Sequence, residues 1–511
     1  MEIVLIHPPV SKPCEPPAGL ARLAGTLKNH GKQCLVIDAN IESLLSILNG
    51  TETPNDTWTK RAIHHREENI ASLKNGNAFK SMGRYTRSVA DLNRILAVAA
   101  EKYSTYLSLN NFIHGTLSQV KSIDLIKAAE HPEENVFYPY FDQRLRTLLE
   151  EHAPHVVGFS LNYLSQALSA FAMIGHMRSL NPAVKVILGG GLVTSWMRRP
   201  GWVNPFSGLV DELVAGPGEE YILSLAGVRN SGRTNPPEYE AFWGNGYLSP
   251  GRVAPYSTSA GCYWGKCSFC PEKTEGSKYT RLPEKTACSD LKTMLEKVTP
   301  MLIHMCDNAL SPALLSAFAA QEARSPWYGF ARITHHLADP DFCSALKRSG
   351  CVMLKLGLES GDQEVLDELN KGIRLDVAKM ALTALHDAGI ATYVYLLFGT
   401  PPEDWDSARR TLSFIAEYND RIDFLNISIF NLPRGSREIK TLATYDFSDG
   451  DLSLYQGFVH PKGWDRNRVR QFLDKELKRH PLISPIIRRD PPVFTSNHAP
   501  FFAMRGITSK R

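Results

Sequence analysis

Short apolar runs alternate with amphipathic stretches along most of the chain, and this alternation predicts strands followed by helices. Glu2–Ile6 is the first apolar run, and His7-Pro8-Pro9 stops its ladder. Gly19–His30 then carries Leu20, Leu23, Ala24 and Leu27 at helical spacing, with Gly31 as the stop. Gln33–Ile37, Val156–Leu161, Val184–Leu188 and Glu212–Ala215 read as further strands, and Ser165–Leu180 as a helix between two of them. The expectation for residues 1–235 is a Rossmann-like, doubly wound parallel sheet. Residues of about 44–150 interrupt it with polar, helix-rich sequence such as Asp91–Tyr106 and Asp142–His152. A connection of that length reads as a helical insertion or as a surface embellishment.

The Gly-, Pro- and Asn-rich stretch Ser231–Pro250 reads as a linker, after which a second series begins. Its strands are Val253–Thr258, Met301–Met305, Tyr328–Ile333, Val352–Gly357, Thr392–Phe398 and Phe424–Phe430. Helices are expected between them at Glu284–Thr299, Pro312–Gln321, Asp339–Ser349, Leu375–Ala388 and Asp404–Glu417. Six strands with helical crossovers predict a partial (β/α)6 TIM-type barrel over residues 251–440, with every strand C-terminus at one rim. The fold class is therefore α/β. From about Asp446 the pattern dissolves, and residues 441–511 read as a tail able to act as a lid.

Composition narrows the function classes. The 57 basic and 53 acidic residues nearly balance, which gives no electrostatic case for a nucleic-acid partner. No apolar run is long enough for a membrane span. The N-terminus has neither the basic flank nor the apolar length of a signal peptide, so a cytoplasmic location is expected. Nine cysteines in 511 residues do not make a disulfide scaffold.

Three of those cysteines are crowded at Cys262, Cys267 and Cys270, directly after the first barrel strand. Thiolates at this spacing on a tight loop converge on a soft metal centre. A structural zinc site lacks a local fourth ligand. A [2Fe–2S] centre would have to recruit Cys288 or Cys306, and fortuitously buried cysteines are a further reading. The reading preferred is a [4Fe–4S] cluster with three protein ligands. Its fourth iron is then open to the amino and carboxylate groups of S-adenosylmethionine (SAM), whose reductive cleavage yields a 5′-deoxyadenosyl radical.

With this loop in hand, the chain resembles the radical SAM superfamily, and more narrowly its members with an N-terminal cobalamin-binding-type domain, the class that includes radical methyltransferases. The resemblance implies SAM contacts at Phe269 in the loop, Asp307 and Asn308 after the second strand, and Arg332 after the third. It further implies contacts from Glu359-Ser360-Gly361, Gly399, and Leu432-Pro433, each at a later strand end. The superfamily spacing is usually C-x3-C-x2-C; here one residue is added, with Gly265 placed to absorb it as a bulge. In the N-terminal domain the resemblance implies cobalamin contacts at Pro8, Pro9, Ser160, Asn162, Gly189, Gly190, Gly191 and Glu219. No D-x-H-x-x-G motif supplies a histidine for cobalt. The expected activity is methylation of an unactivated carbon of a peptide or small-molecule substrate, with a flavodoxin- or ferredoxin-type electron donor. A non-methylating radical SAM enzyme and a non-catalytic zinc or [2Fe–2S] interaction protein are the competing readings. His335, His336, His460 and His498 are read as structural or solvent-facing, and Tyr393 and Tyr395 as core residues.

Overall fold

A computed structural model of the chain describes residues 2–51, 56–229, 236–322, 325–446, 449–492 and 498–508. The first residues of the expected linker, 231–235, lie outside the described residues. The N-terminal sheet comprises β1 (Ile3–His7), β2 (Leu35–Asp38), β3 (Val156–Ser160), β4 (Lys185–Gly189) and β5 (Glu212–Val214). All its pairings are parallel, in the order β2-β1-β3-β4-β5. This is a doubly wound order in which ligands bind beyond the strand C-termini, near the point where the winding reverses between β1 and β3. Every residue of β1 is buried, as a central strand covered on both faces must be.

The connection from β2 to β3 carries residues 44–150. Helices Thr57–His64, Arg66–Lys74 and Met82–Glu101 and the hairpin Thr105–Leu107/Phe112–His114 share one apolar core with the sheet. The helix Ser122–Glu130 presses so closely on Leu164–Leu180 that a Cβ on Gly175 would lie 1.9 Å from the Ala129 carbonyl oxygen. This segment packs against the sheet and the helix Leu164–Leu180.

The second sheet holds β6 (Val253–Tyr256), β7 (Leu302–Leu310), β8 (Trp327–Ala331), β9 (Cys351–Glu359), β10 (Ala391–Phe398) and β11 (Phe424–Ile429), all parallel and in sequential order. Helices Glu284–Val298, Pro312–Ala319, Pro340–Arg348, Leu375–Asp387 and Trp405–Glu417 are its crossovers. Side chains alternate between two sets. Ile303, Met305, Leu354, Leu356, Val394 and Leu396 pack outward into the core beneath the helices. Val253, Leu302, Tyr328, Met353, Tyr393 and Phe424 form a separate inner cluster at the base of the barrel.

The tail departs from expectation. Thr444–Tyr445, Tyr455–Phe458 and Leu432–Pro433 pair as a small antiparallel sheet, followed by helices Arg466–Phe472, Ser484–Arg488 and Ala499–Thr508. Ala499 and Ala503 complete the inner cluster, so the last helix closes the barrel floor. Phe501 also meets Phe79 and Tyr85 of the insertion, with ring centroids at 5.0 and 5.2 Å. Strands of two to four residues and a helix rich in small residues leave too little periodicity to be legible. Among the described residues no helix is long and apolar enough to cross a membrane.

Candidate active site

The cysteine loop is clamped at both ends. Ser259–Ala260 pairs antiparallel with Thr280–Arg281, which ties off residues 261–279. Asp307, at the rim end of β7, accepts from the Thr258 amide (3.1 Å), the Thr258 hydroxyl (2.7 Å) and the Ser259 hydroxyl. Its carboxylate, 1% exposed, is thus committed to the turn that launches the loop, whereas Asn308 is exposed. Asp307→Asn should weaken three bonds to a charged acceptor and cost about 2 kcal/mol of stability. Denaturant unfolding measures the loss, and an unchanged midpoint would show that the clamp is held elsewhere.

Within the loop, Gly265 adopts a left-handed φ of 58°, the local bend expected where the extra residue falls. The loop rests on the turn after the helix Gln363–Glu368. The Ser268 amide donates to the Leu369 carbonyl at 3.0 Å, and the Trp264 indole N–H to the Asn370 carbonyl at 2.9 Å. Arg332 lies over the Trp264 ring at 4.3 Å. It also points a guanidinium nitrogen at the Cys267 sulfur at 3.9 Å. Lys371 forms an ion pair with Glu359 at 2.7 Å and lies 5.5 Å from the centre of the Phe269 ring. Glu359 itself sits at φ 71°, a conformation that non-glycine residues adopt only where surroundings enforce it. Sequence reasoning missed Lys371 and Trp264; only the position of Trp264 inside the loop hinted at its role.

Burial pushes the Cys267 thiol above its ordinary value against the pull of Lys371 and Arg332, and pushes Cys270 up to about 11. These thiols hold their protons until a metal displaces them, so cluster uptake is coupled to proton release. Among the described residues no three His, Cys, Asp or Glu side chains converge as ligands of a single ion do. A cubane cluster does not ask for that, because its thiolates bind separate iron corners. Three thiols on one loop, two of them desolvated and one flanked by two cations, fit such a cluster. Cys288 faces an outer groove with Ile303, Met305 and Trp327 and is turned away from the loop.

Other expected SAM residues have structural work of their own. The Ser360 hydroxyl is fully buried against that of Thr411, and the Gly361 amide donates to the same hydroxyl at 2.9 Å. A Cβ on Gly361 would lie 2.7 Å from the Thr411 Cα, so this glycine lets the strand end meet the helix Trp405–Glu417. Leu432 and Pro433 belong to the small tail sheet. Gly399 (φ 79°) donates its amide to Glu403. Glu403 is fully buried, also accepts from the Trp464 indole at 2.9 Å, and has a second oxygen without a partner among the described residues.

Burial outweighs those two bonds and pushes Glu403 from an ordinary 4.5 up to about 8. The folded state therefore holds this proton more tightly than the unfolded chain. Its stabilising contribution is full below about 4.5 and is lost as pH rises to about 8. Glu403→Gln should abolish this slope, so the melting-temperature gap between variant and parent should widen steadily across that window. Parallel curves would contradict the assignment.

Facing the loop is a cleft of about 1050 Å³, at the upper end of ordinary ligand pockets. One wall is the N-terminal sheet rim with Ser160, Asn162, Gly189, Gly190, Gly191 and Glu219; the other includes Ser259, Gly261, Pro271 and Glu272 of the loop region. Leu454 and Tyr455 of the tail edge it, while the last helix is elsewhere, so only this part of the tail stands where a lid would. The cleft continues down the sheet face between Leu5, Val156 and Gly158 on one side and Leu20, Leu23 and Ile222 on the other. Pro8 and Pro9 are buried outside its lining, with the Pro8 carbonyl held by Gln166 at 2.7 Å. His460 bonds to the Thr400 carbonyl and His498 to Asp490, in keeping with structural roles. A wide glycine-walled mouth with an apolar side channel fits a large flat ligand carrying a tail, as cobalamin is.

Residues 256–415 match the model of the Radical SAM superfamily, and this stretch is a radical SAM domain, which implies a [4Fe–4S] cluster and SAM. Over 180 residues the chain is 27% identical to the bacteriochlorophyllide d C-12(1)-methyltransferase of Chlorobaculum tepidum. That match covers 34% of this chain and 39% of the relative. Among solved structures the fold is similar to the radical S-adenosylmethionine methyltransferase TsrM from Kitasatospora setae, with a TM-score of 0.52, 15% identity, and 88% of this chain and 79% of that one covered. It is also similar to the cobalamin-dependent S-adenosylmethionine radical enzyme OxsB, with a TM-score of 0.52, 13% identity, and 82% and 52% covered.

Proposed function

We propose that the chain is a radical SAM enzyme that uses cobalamin to methylate an unactivated carbon of a peptide or small-molecule substrate. The observation that carries this reading is the shared cleft, in which residues flanking the three cysteines (Gly261, Pro271 and Glu272) and the glycine-rich rim of the other domain form opposite walls of one cavity. When bound, the cluster supplies the electron that cleaves SAM to a 5′-deoxyadenosyl radical, and cobalamin supplies a transferable methyl group. The chain's own residues hold these groups and keep water away from them. Cys262, Cys267 and Cys270 are the cluster ligands, and Arg332 and Lys371 favour negative charge at Cys267. Phe269, Asn308 and Glu359 remain the SAM contacts of choice at the rim. Gly189, Gly190 and Gly191 leave the cleft wall bare of side chains for a flat ligand. The matched relative and TsrM, both named as methyltransferases, support methyl transfer, and the fold shared with OxsB supports a cobalamin-dependent radical enzyme. An electron donor of flavodoxin or ferredoxin type completes the scheme, and nine free cysteines suit a reducing, cytoplasmic setting.

Anaerobic reconstitution with iron, sulfide, SAM and hydroxocobalamin tests the proposal. The expected result is a brown protein that retains cobalamin, cleaves SAM under a reductant and adds one methyl to its product. Iron and SAM cleavage without cobalamin retention would favour non-methylating radical chemistry. A colourless protein inert to SAM would end both readings.

A further inference from the structure

The barrel lumen contains a buried group that neither the cluster nor the cleft accounts for. Lys355, on β9, points inward and is 3% exposed. Its ammonium lies 5.1 Å from the centre of the Tyr328 ring and 5.0 Å from that of Phe330. Among the described residues it makes no hydrogen bond and no ion pair. Below it, the N-terminal loop reaches into the barrel, and Glu15 bonds through one oxygen to His304 at 2.8 Å. The other Glu15 oxygen has no partner among the described residues. Lys12 adds a second positive charge to the same field.

The charge balance is lopsided. Burial holds His304 below its ordinary value despite Glu15, so the ring stays neutral near pH 7. Two ammonium groups, Lys12 and Lys355, then face one carboxylate. An unneutralised ammonium inside a barrel is unfavourable, and the flanking rings offset only part of that. Burial accordingly brings Lys355 down to about 8. Toward the rim the inward-facing residues become less buried: Phe330, Tyr395 and Asn426 are partly exposed, and Ser428 is exposed.

We propose that Lys355 is the anchor for a carboxylate of the substrate, which enters the lumen from the rim and pairs with the Lys355 ammonium. The inference rests on the enzyme reading above and narrows its substrate to a carboxylic acid. One surplus positive charge matches a singly charged carboxylate. A phosphate would bring a second charge, and mid-strand backbone offers no array of free amides to hold it. Glu15 excludes a second anion from the inner end, and the aromatic walls favour an apolar body behind the acid group.

Calorimetric titration of the cluster-loaded protein with phenylacetate, phenylacetamide and phenyl phosphate tests this without turnover. Phenylacetate should bind about tenfold or more tighter than its amide, as a charge-assisted bond predicts, and tighter than phenyl phosphate. Lys355→Met should erase the preference for acid over amide, and Lys355→Arg should keep part of it. Lys355→Met should melt at or above the parent temperature, because removing an isolated buried charge is neutral or stabilising. Equal binding of acid and amide by the parent, no binding of either, or a preference that survives in Lys355→Met would overturn the inference. SAM cleavage is read separately, so a protein that prefers the acid but never cleaves SAM would keep this anchor and lose the enzyme reading.

Discussion

Cys267→Ala should strip the protein of its iron and abolish SAM cleavage. Loss of an outer-shell partner lowers metal affinity by about 10–100-fold, and loss of a ligand should exceed that range. Cys267 is the most buried of the three loop cysteines and the one that Arg332, Lys371 and Glu359 surround. No water can replace its sulfur without entering that polar ring. Iron analysis and the visible spectrum after anaerobic reconstitution report the loss. Cys306→Ser is the matched control. Cys306 faces the lumen on β7, so iron content should be unchanged; a loss there would instead favour a two-iron centre with Cys306 as the fourth ligand.

Gly190→Ala should be the most disruptive single change in the cleft wall. Gly190 sits at φ 110° and ψ 177°, a region essentially reserved for glycine, and an added Cβ would lie 2.4 Å from the Leu161 carbonyl oxygen. Backbone strain of about 1–3 kcal/mol and overpacking of about 1–3 kcal/mol point the same way. Denaturant unfolding should register most of that sum, and retention of hydroxocobalamin on gel filtration should fail. Gly191→Ala separates the two effects. Its Cβ would meet only Asn162, the side-chain Oδ1 at 3.7 Å and the carbonyl oxygen at 4.0 Å, so the fold should survive and any loss of cobalamin would report the filled wall alone. Full retention of cobalamin by Gly190→Ala would remove this rim from the ligand site.

The strand–helix alternation was legible because each barrel strand is a short, mostly apolar run and several of the crossover helices carry side-chain caps. Asp404, for example, caps Trp405–Glu417 through the Ser407 amide. The cysteine loop was legible because its chemistry is local. What sequence could not carry was the partner of each rim residue. Asp307 stands at a strand end like a ligand contact, yet its carboxylate turns back to Thr258 and Ser259. Gly361 is expected as a SAM contact, yet its amide is held by a helix 50 residues away. Lys355 looks like any polar residue in a strand. Alternation places it inward, but only the folded chain shows Glu15 and His304 brought together across 289 residues.

The reach of the N-terminal loop into the lumen bears on how such enzymes diversify. Because Glu15 and Lys12 come from one domain and Lys355 and His304 from the other, the two halves cannot be exchanged as independent modules. A chimaera that grafts this barrel onto a relative's first domain would inherit the radical machinery intact and a foreign inner wall. Evolution of a new substrate range in this lineage would then leave matched changes in both halves of the gene.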